Sequence, residues 1–174
     1  RLRWVAVASV FLTVLLTEQI FKFSLPAFSL YAASAALGIY NLVFFVLLKS
    51  IKGKESFVII NRIANSQISL DLLSLAVLIH FSGGIENPFL FYFIFHMIIA
   101  SVLLSKRASF FQATFAVLLF SIMVSLEYFA VLPHYCLKKF IIYDQQRNLT
   151  YITGVSFVFI STLYIAVYMA TSIS

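Results

Sequence analysis

The sequence predicts an all-α polytopic membrane protein with six transmembrane helices and both termini in the cytoplasm. Three observations predict it. Of 174 residues, 63% are hydrophobic and 10% are charged, against roughly 25% charged in an ordinary soluble domain. The apolar residues gather into six runs, each near the roughly 20 residues that a hydrocarbon core about 30 Å thick requires. The runs are continuously apolar, whereas barrel strands would alternate over about ten residues. The same composition excludes disorder, which needs low hydrophobicity. A single cysteine, Cys136, excludes an intramolecular disulfide and a thiolate metal cluster, and no metal is expected.

The first span, 4–23, is too long and too polar at Glu18-Gln19 for a cleavable signal peptide. The second, 28–49, carries Ala32, Ser34, Ala36 and Gly38, small residues at a spacing that lets membrane helices approach closely. The third, 63–82, follows a mixed stretch that predicts an interfacial start, and Asp71 interrupts it. The fourth, 88–105, opens on Pro88; the fifth, 109–132, contains Glu127. The sixth, 151–173, shows the row Thr162, Ala166, Ala170 and Ser174, read either as packing within the chain or as a homodimer seam. In the connection 133–150, residues 137–143 are expected along the membrane surface and His134 is expected to be solvated.

Orientation follows from Lys and Arg in the connections. Arg1, Arg3, Lys49, Lys52, Lys54, Arg62, Lys106 and Arg107 fall on one side; Lys22, Lys138, Lys139 and Arg147 fall on the other. The richer side is assigned to the cytoplasm. The net charge of +6 reflects this surface bias; no aromatic-interleaved basic patch off the membrane points to nucleic acid. The chain begins at Arg1 and stops at Ser174 on the end of an apolar helix, so 1–174 is expected to be one membrane domain excerpted from a longer chain. The halves show no inverted repeat of the transporter kind.

The stretch Ser82-Gly83-Gly84-Ile85-Glu86-Asn87-Pro88-Phe89 joins spans three and four. As structure it is a tight turn: glycine accepts the left-handed conformation past a helix end, Asn87 caps, and Pro88 suits the first helical position. As function, the same helix start offers orphan amides to a carbonyl oxygen, with Phe89, Phe91 and Tyr92 as flat apolar walls. That combination suits a lipid-soluble quinone.

Gly83-Gly84-Ile85-Glu86-Asn87-Pro88-Phe89 resembles the GGxxNPF heptapeptide of RegB/PrrB-type redox-sensing bacterial histidine kinases. The resemblance extends back through 69–75 and forward through His96 to the Lys106-Arg107 loop, about 40 residues, besides the six-span layout. It implies a sensor domain of a two-component system in the bacterial inner membrane, which binds ubiquinone or another quinone. It further implies that span six passes the signal, in a homodimer, to a cytoplasmic kinase and its response regulator. The family positions fall on Gly83, Gly84, Asn87, Pro88 and Phe89; Ile85 and Glu86 occupy its variable positions.

Ionisable groups inside spans are costly, roughly 2.5–3.5 kcal/mol at mid-helix by insertion scales. Asp71 is read either as a group for proton coupling or signal relay, or as a packing residue that is protonated or paired with Asn or Ser. His96 follows Tyr92 by four residues and shares its face, below the turn. His80 lies just before the turn, and Glu127 is read either as sharing a layer with His80 or His96, where the cluster would gate quinol protons, or as an acid near enough to the interface to stay wet. Alternative functions are a membrane haem protein with His80 and His96 as axial ligands, and a small transporter, ranked last because no broken helix or acid-lined pore is readable.

Overall fold

A computed structural model describes residues 2–21, 25–50, 57–135 and 147–173. Arg1, Lys22, Lys52, Lys54, Cys136, Lys138, Lys139, the surface segment 137–143 and Ser174 lie outside them. The regular secondary structure of the described residues is all helical, without strands: α1 Leu2–Leu16, α2 Ala27–Ser50, α3 Phe57–Phe81, α4 Tyr92–Leu103, α5 Lys106–Tyr128 and α6 Leu149–Ile173. A π-helical turn, Thr17–Phe21, extends α1, and two 3-10 turns, Gly84–Glu86 and Pro88–Phe91, connect α3 to α4.

Four segments are long and apolar enough to cross a membrane, namely Ala27–Lys49, Ile59–Phe81, Lys106–Tyr128 and Leu149–Ile173. Trp4–Gln19 and Pro88–Leu103 are shorter, about 24 Å each at helical rise. Large apolar side chains such as Phe28, Ile39, Phe111 and Phe157 point outward. On a protein in water such a surface would be an association site; around a membrane domain it is the face that meets lipid.

Helices α3, α4, α5 and α6 form one body, with α4 packed on α6 and α3 on α5. Its core is continuous from Ile68 and Leu72 of α3 through Phe93 and Met97 of α4 and Phe120 of α5 to Phe159 and Leu163 of α6. Phe159 sits between two rings, edge-on to Phe93 at 5.4 Å and tilted on Phe120 at 4.2 Å. Helices α1 and α2 pair with each other, and α2 alone joins them firmly to the body, along α3.

Three boundaries differ from expectation for identifiable reasons. Helix α3 begins at Phe57 rather than turning in from the interface at 63. Its polar residues have a partner inside: the Gln112 side-chain amide lies 2.6 Å from Asn65 Oδ1 and 2.9 Å from Ser69 Oγ. Helix α5 begins at Lys106 rather than 109 because Ser105 caps it, its hydroxyl accepting from Ala108 N at 3.4 Å. The same helix stops at Tyr128 rather than 132. The Val131 amide donates to Leu126 O at 2.9 Å and the Ala130 amide to Glu127 O at 3.1 Å. This is the paired bonding of a left-handed helix terminus, usually built on glycine. Here Ala130 takes the position, at φ 56°, a conformation costing roughly 1 kcal/mol for a residue with a Cβ.

Candidate functional site

The α3–α4 turn is built by its own side chains. Gly83, at φ 123°, and Gly84, at φ 53°, both occupy backbone regions that favour glycine. A Cβ on Gly84 would overlap the Glu127 carboxylate, so the second glycine is also needed for close approach. Asn87 caps the second 3-10 turn: its Oδ1 accepts from Phe89 N at 2.8 Å, and its amide donates to Ser82 O at 2.9 Å and to Ser82 Oγ at 2.5 Å. The Asn87 amide is therefore engaged within the turn.

Pro88 then starts α4's approach, and its neighbours face outward. Phe89 and Tyr92 lie 5.5 Å apart, Tyr92 and Phe95 5.7 Å, and all three are exposed. They form an aromatic ledge on the lipid face of α4. His96 stands beside it, half-buried, with Nδ1 at 2.9 Å from Tyr92 O. A carbonyl only accepts, so Nδ1 carries the hydrogen, and in the neutral ring Nε2 is the acceptor.

Beneath the turn lies a second set of groups. His80 Nδ1 is 2.7 Å from Glu127 Oε1, His134 Nδ1 is 2.9 Å from Glu127 Oε2, and His134 Nε2 is 3.5 Å from Glu86 Oε2. The chain His80–Glu127–His134–Glu86 thus ties α3, α5, the segment after α5 and the turn. Phe81 and Tyr135 pack on the His80 ring at 4.9 and 5.7 Å.

Several expectations change here. His134 was expected in solvent; its side chain is 2% exposed. The reversal at Ala130 swings the chain back over the bundle and puts this imidazole between two carboxylates. Glu86, at a variable position of the heptapeptide, is 4% exposed. Glu127 shares its layer with His80 and not with His96, which bonds its own helix. His80 is inside the bundle and His96 beside the lipid-facing ledge, so the two rings do not face one another as a pair of axial haem ligands would. Tyr40 of α2 donates to Asp71 Oδ1 at 2.6 Å, so this acid has a partner on a neighbouring helix. On α2, Ser34 is buried and Gly38 faces Val7 of α1 at 3.7 Å from its would-be Cβ, whereas Ala32 and Ala36 are exposed. No group of His, Cys, Asp and Glu among the described residues is arranged to hold a metal ion.

The missed residues had faint signals. Glu86 and His134 are ionisable groups immediately beside apolar spans, where a fully solvated role is only one option. Their proximity depends on the reversal after α5, which carries no glycine to announce it.

A family model described as the PilS-like transmembrane domain matches residues 1–173. No curated protein and no solved structure matches the chain. A six-span domain of this kind fits the membrane sensor region of a histidine kinase. With its all-helical architecture, lipid-facing apolar surface and a match over nearly its whole length, the chain belongs to the family of PilS-like six-span transmembrane domains and is a multi-pass membrane protein.

Proposed function

We propose that this domain is the membrane sensor of a RegB/PrrB-type histidine kinase and reads the redox state of the quinone pool at the aromatic ledge of α4. The bilayer delivers the ligand, and the Lys/Arg bias puts the ledge's turn outside the cytoplasm and the termini inside. The heptapeptide at 83–89 and membership in a sensor-type family support this reading. The observation that carries it is the ledge itself: Phe89, Tyr92 and Phe95 expose a continuous aromatic strip that ends beside His96.

A ligand switches a protein only through different affinities for its states. A neutral His96 with Nε2 as acceptor distinguishes the two redox forms, because a quinol hydroxyl donates and a quinone carbonyl does not. Asn87 acts through Phe89, whose amide it holds, and is a positioning residue. Output passes along α6, which packs on α4, into a homodimeric cytoplasmic kinase and its response regulator.

The test is autophosphorylation of the full-length protein in liposomes at controlled ubiquinone-to-ubiquinol ratios. Phe89→Ala and His96→Leu are expected to abolish the redox response, and Asn87→Ala to weaken it through the turn. A wild-type response in both Phe89→Ala and His96→Leu removes the ledge as the site.

A further inference from the structure

Helices α3 and α5 are joined side chain to side chain at both ends. Far from the turn, Gln112 Nε2 donates to Asn65 Oδ1 at 2.6 Å and lies 2.9 Å from Ser69 Oγ. Next to the turn, His80 Nδ1 meets Glu127 Oε1 at 2.7 Å. Both pairs, 65 with 112 and 80 with 127, are 47 residues apart in the chain. The two helices therefore run parallel in one unbroken register over about 22 Å at helical rise. Ala113 and Ala116 of α5, both fully buried, let the backbones approach closely between the bonds.

Helix α6 is held differently. Its buried ridge is Phe159, Leu163 and Val167, one face at helical spacing. Phe159 lies nearest the turn end, edge-on to Phe93 of α4 and tilted on Phe120 of α5. Tyr164 bonds α6 to α5, its hydroxyl 3.0 Å from Thr114 Oγ1. Thr114 donates to Phe110 O at 3.0 Å, so Tyr164 is the donor to Thr114. Hydrogen bonds weaken steeply away from their preferred distance and angle, so bonds at both ends of α3 and α5 fix a register. Ring contacts accept a range of geometries, and a helix resting on them can shift without losing them. Phe93 follows Tyr92 in the chain but is buried, whereas Tyr92 is exposed on the ledge. A ligand that displaces the ledge therefore moves the ring that touches Phe159.

We propose that the α3–α5 pair is a fixed frame and that Phe159 is the positioning residue that passes a displacement of α4 to α6. Phe93 pushes on Phe159, Phe120 is the fixed wall behind it, and α6 shifts along α5 toward the cytoplasmic end. The identity of the ligand that starts the motion rests on the quinone reading; the frame and the route through Phe159 rest on the packing.

The experiment uses the full-length protein in liposomes and reads ligand binding and output separately. Binding is photolabelling by an azido-ubiquinone; output is autophosphorylation at set ubiquinone-to-ubiquinol ratios. His96→Leu is expected to lose both. Phe159→Leu is expected to keep wild-type labelling while its redox response falls about fivefold. Phe93→Leu is expected to do the same, and the double variant to lose no more than either single one, because the two rings act in series. A merely structural role would make the losses add. Spin labels, placed after Cys136→Ser, give the third readout. Exchange of quinone for quinol is expected to leave the distance from position 73 of α3 to position 118 of α5 unchanged. The distance from position 118 to position 165 of α6 is expected to change by about 2 Å. An unlabelled, unresponsive wild type counts against the ledge as a quinone site, and the frame is then judged in quinone-free lipid. There Thr114→Val is expected to shift the α5–α6 distance and to change basal autophosphorylation about fivefold, with the α3–α5 distance unmoved. Equal changes in both distances overturn the frame. A wild-type redox response in Phe159→Leu, or additive losses in the double variant, overturns the route.

Discussion

The α1–α2 pair and the α3–α6 body are both made of apolar helices, yet they are held together by different means. The body closes around a core of large side chains, Phe93, Phe120, Phe159 and Leu163, all nearly inaccessible. Among the described hydrophobic side chains of the α1–α2 pair, only Val14 and Leu30 are buried. Polar bonds join it as well: Tyr31 to Glu18 at 2.7 Å within the pair, and Tyr40 to Asp71 at 2.6 Å across to α3. In a membrane, water does not drive apolar faces together, because lipid is as apolar as leucine. Interdigitated packing and polar contacts must do so, and among the described residues the body holds most of the large buried side chains.

The same substitution made in each region tests this contrast most sharply. Gly84→Ala introduces a Cβ at positive φ and into the Glu127 carboxylate; the expected loss is about 3 kcal/mol, combining backbone strain and overpacking. The check is reversible unfolding of the bilayer-reconstituted protein, where a loss below about 1 kcal/mol would mean that turn and α5 are not locked together. Next in size is the Tyr40–Asp71 bond. A double-mutant cycle of Tyr40→Phe and Asp71→Asn is expected to yield about 1 kcal/mol of coupling. Tyr40→Phe alone should raise the mobility of spin labels on α1 relative to α5. Labels that move no more than in wild type would show the pair to be as firmly held as the body. The smallest effect is expected from Gly38→Ala. Its new methyl lies at ordinary contact distance from Val7, so stability should stay within about 0.5 kcal/mol of wild type. A large loss there would show packing between α1 and α2 as tight as that in the body.

Much of the architecture was legible in the sequence because spanning a bilayer constrains composition and length directly. Six apolar runs gave six helices, and Asn87 and Pro88 announced the cap that they form. Helix ends were less legible. Asn65 and Ser69 read as interfacial until Gln112 supplies their partner from 43 to 47 residues away. The end of α5 was hidden because Ala130, and not glycine, takes the left-handed position. Of the ledge, Phe89 and Tyr92 were visible as apolar walls of the turn and His96 as sharing the face of Tyr92, whereas Phe95 joins them only in the structure. The ionisable chain beneath it was half visible: the spacing offered Glu127 either His80 or His96 as a layer partner, but nothing local marks Glu86 and His134 as companions of His80 and Glu127.

The sequence by itself determined that the chain lives in a membrane, how many helices it has and where its longest connections fall. These depend on hydrophobicity summed over about 20 residues, which needs no knowledge of neighbours. Which ionisable groups meet was decided by tertiary structure. A reversal of a few residues after α5 moves His134 from the end of a loop to a site between two buried carboxylates. Desolvation makes that meeting consequential, because a charge that costs little in water must find a proton or a partner once it is buried.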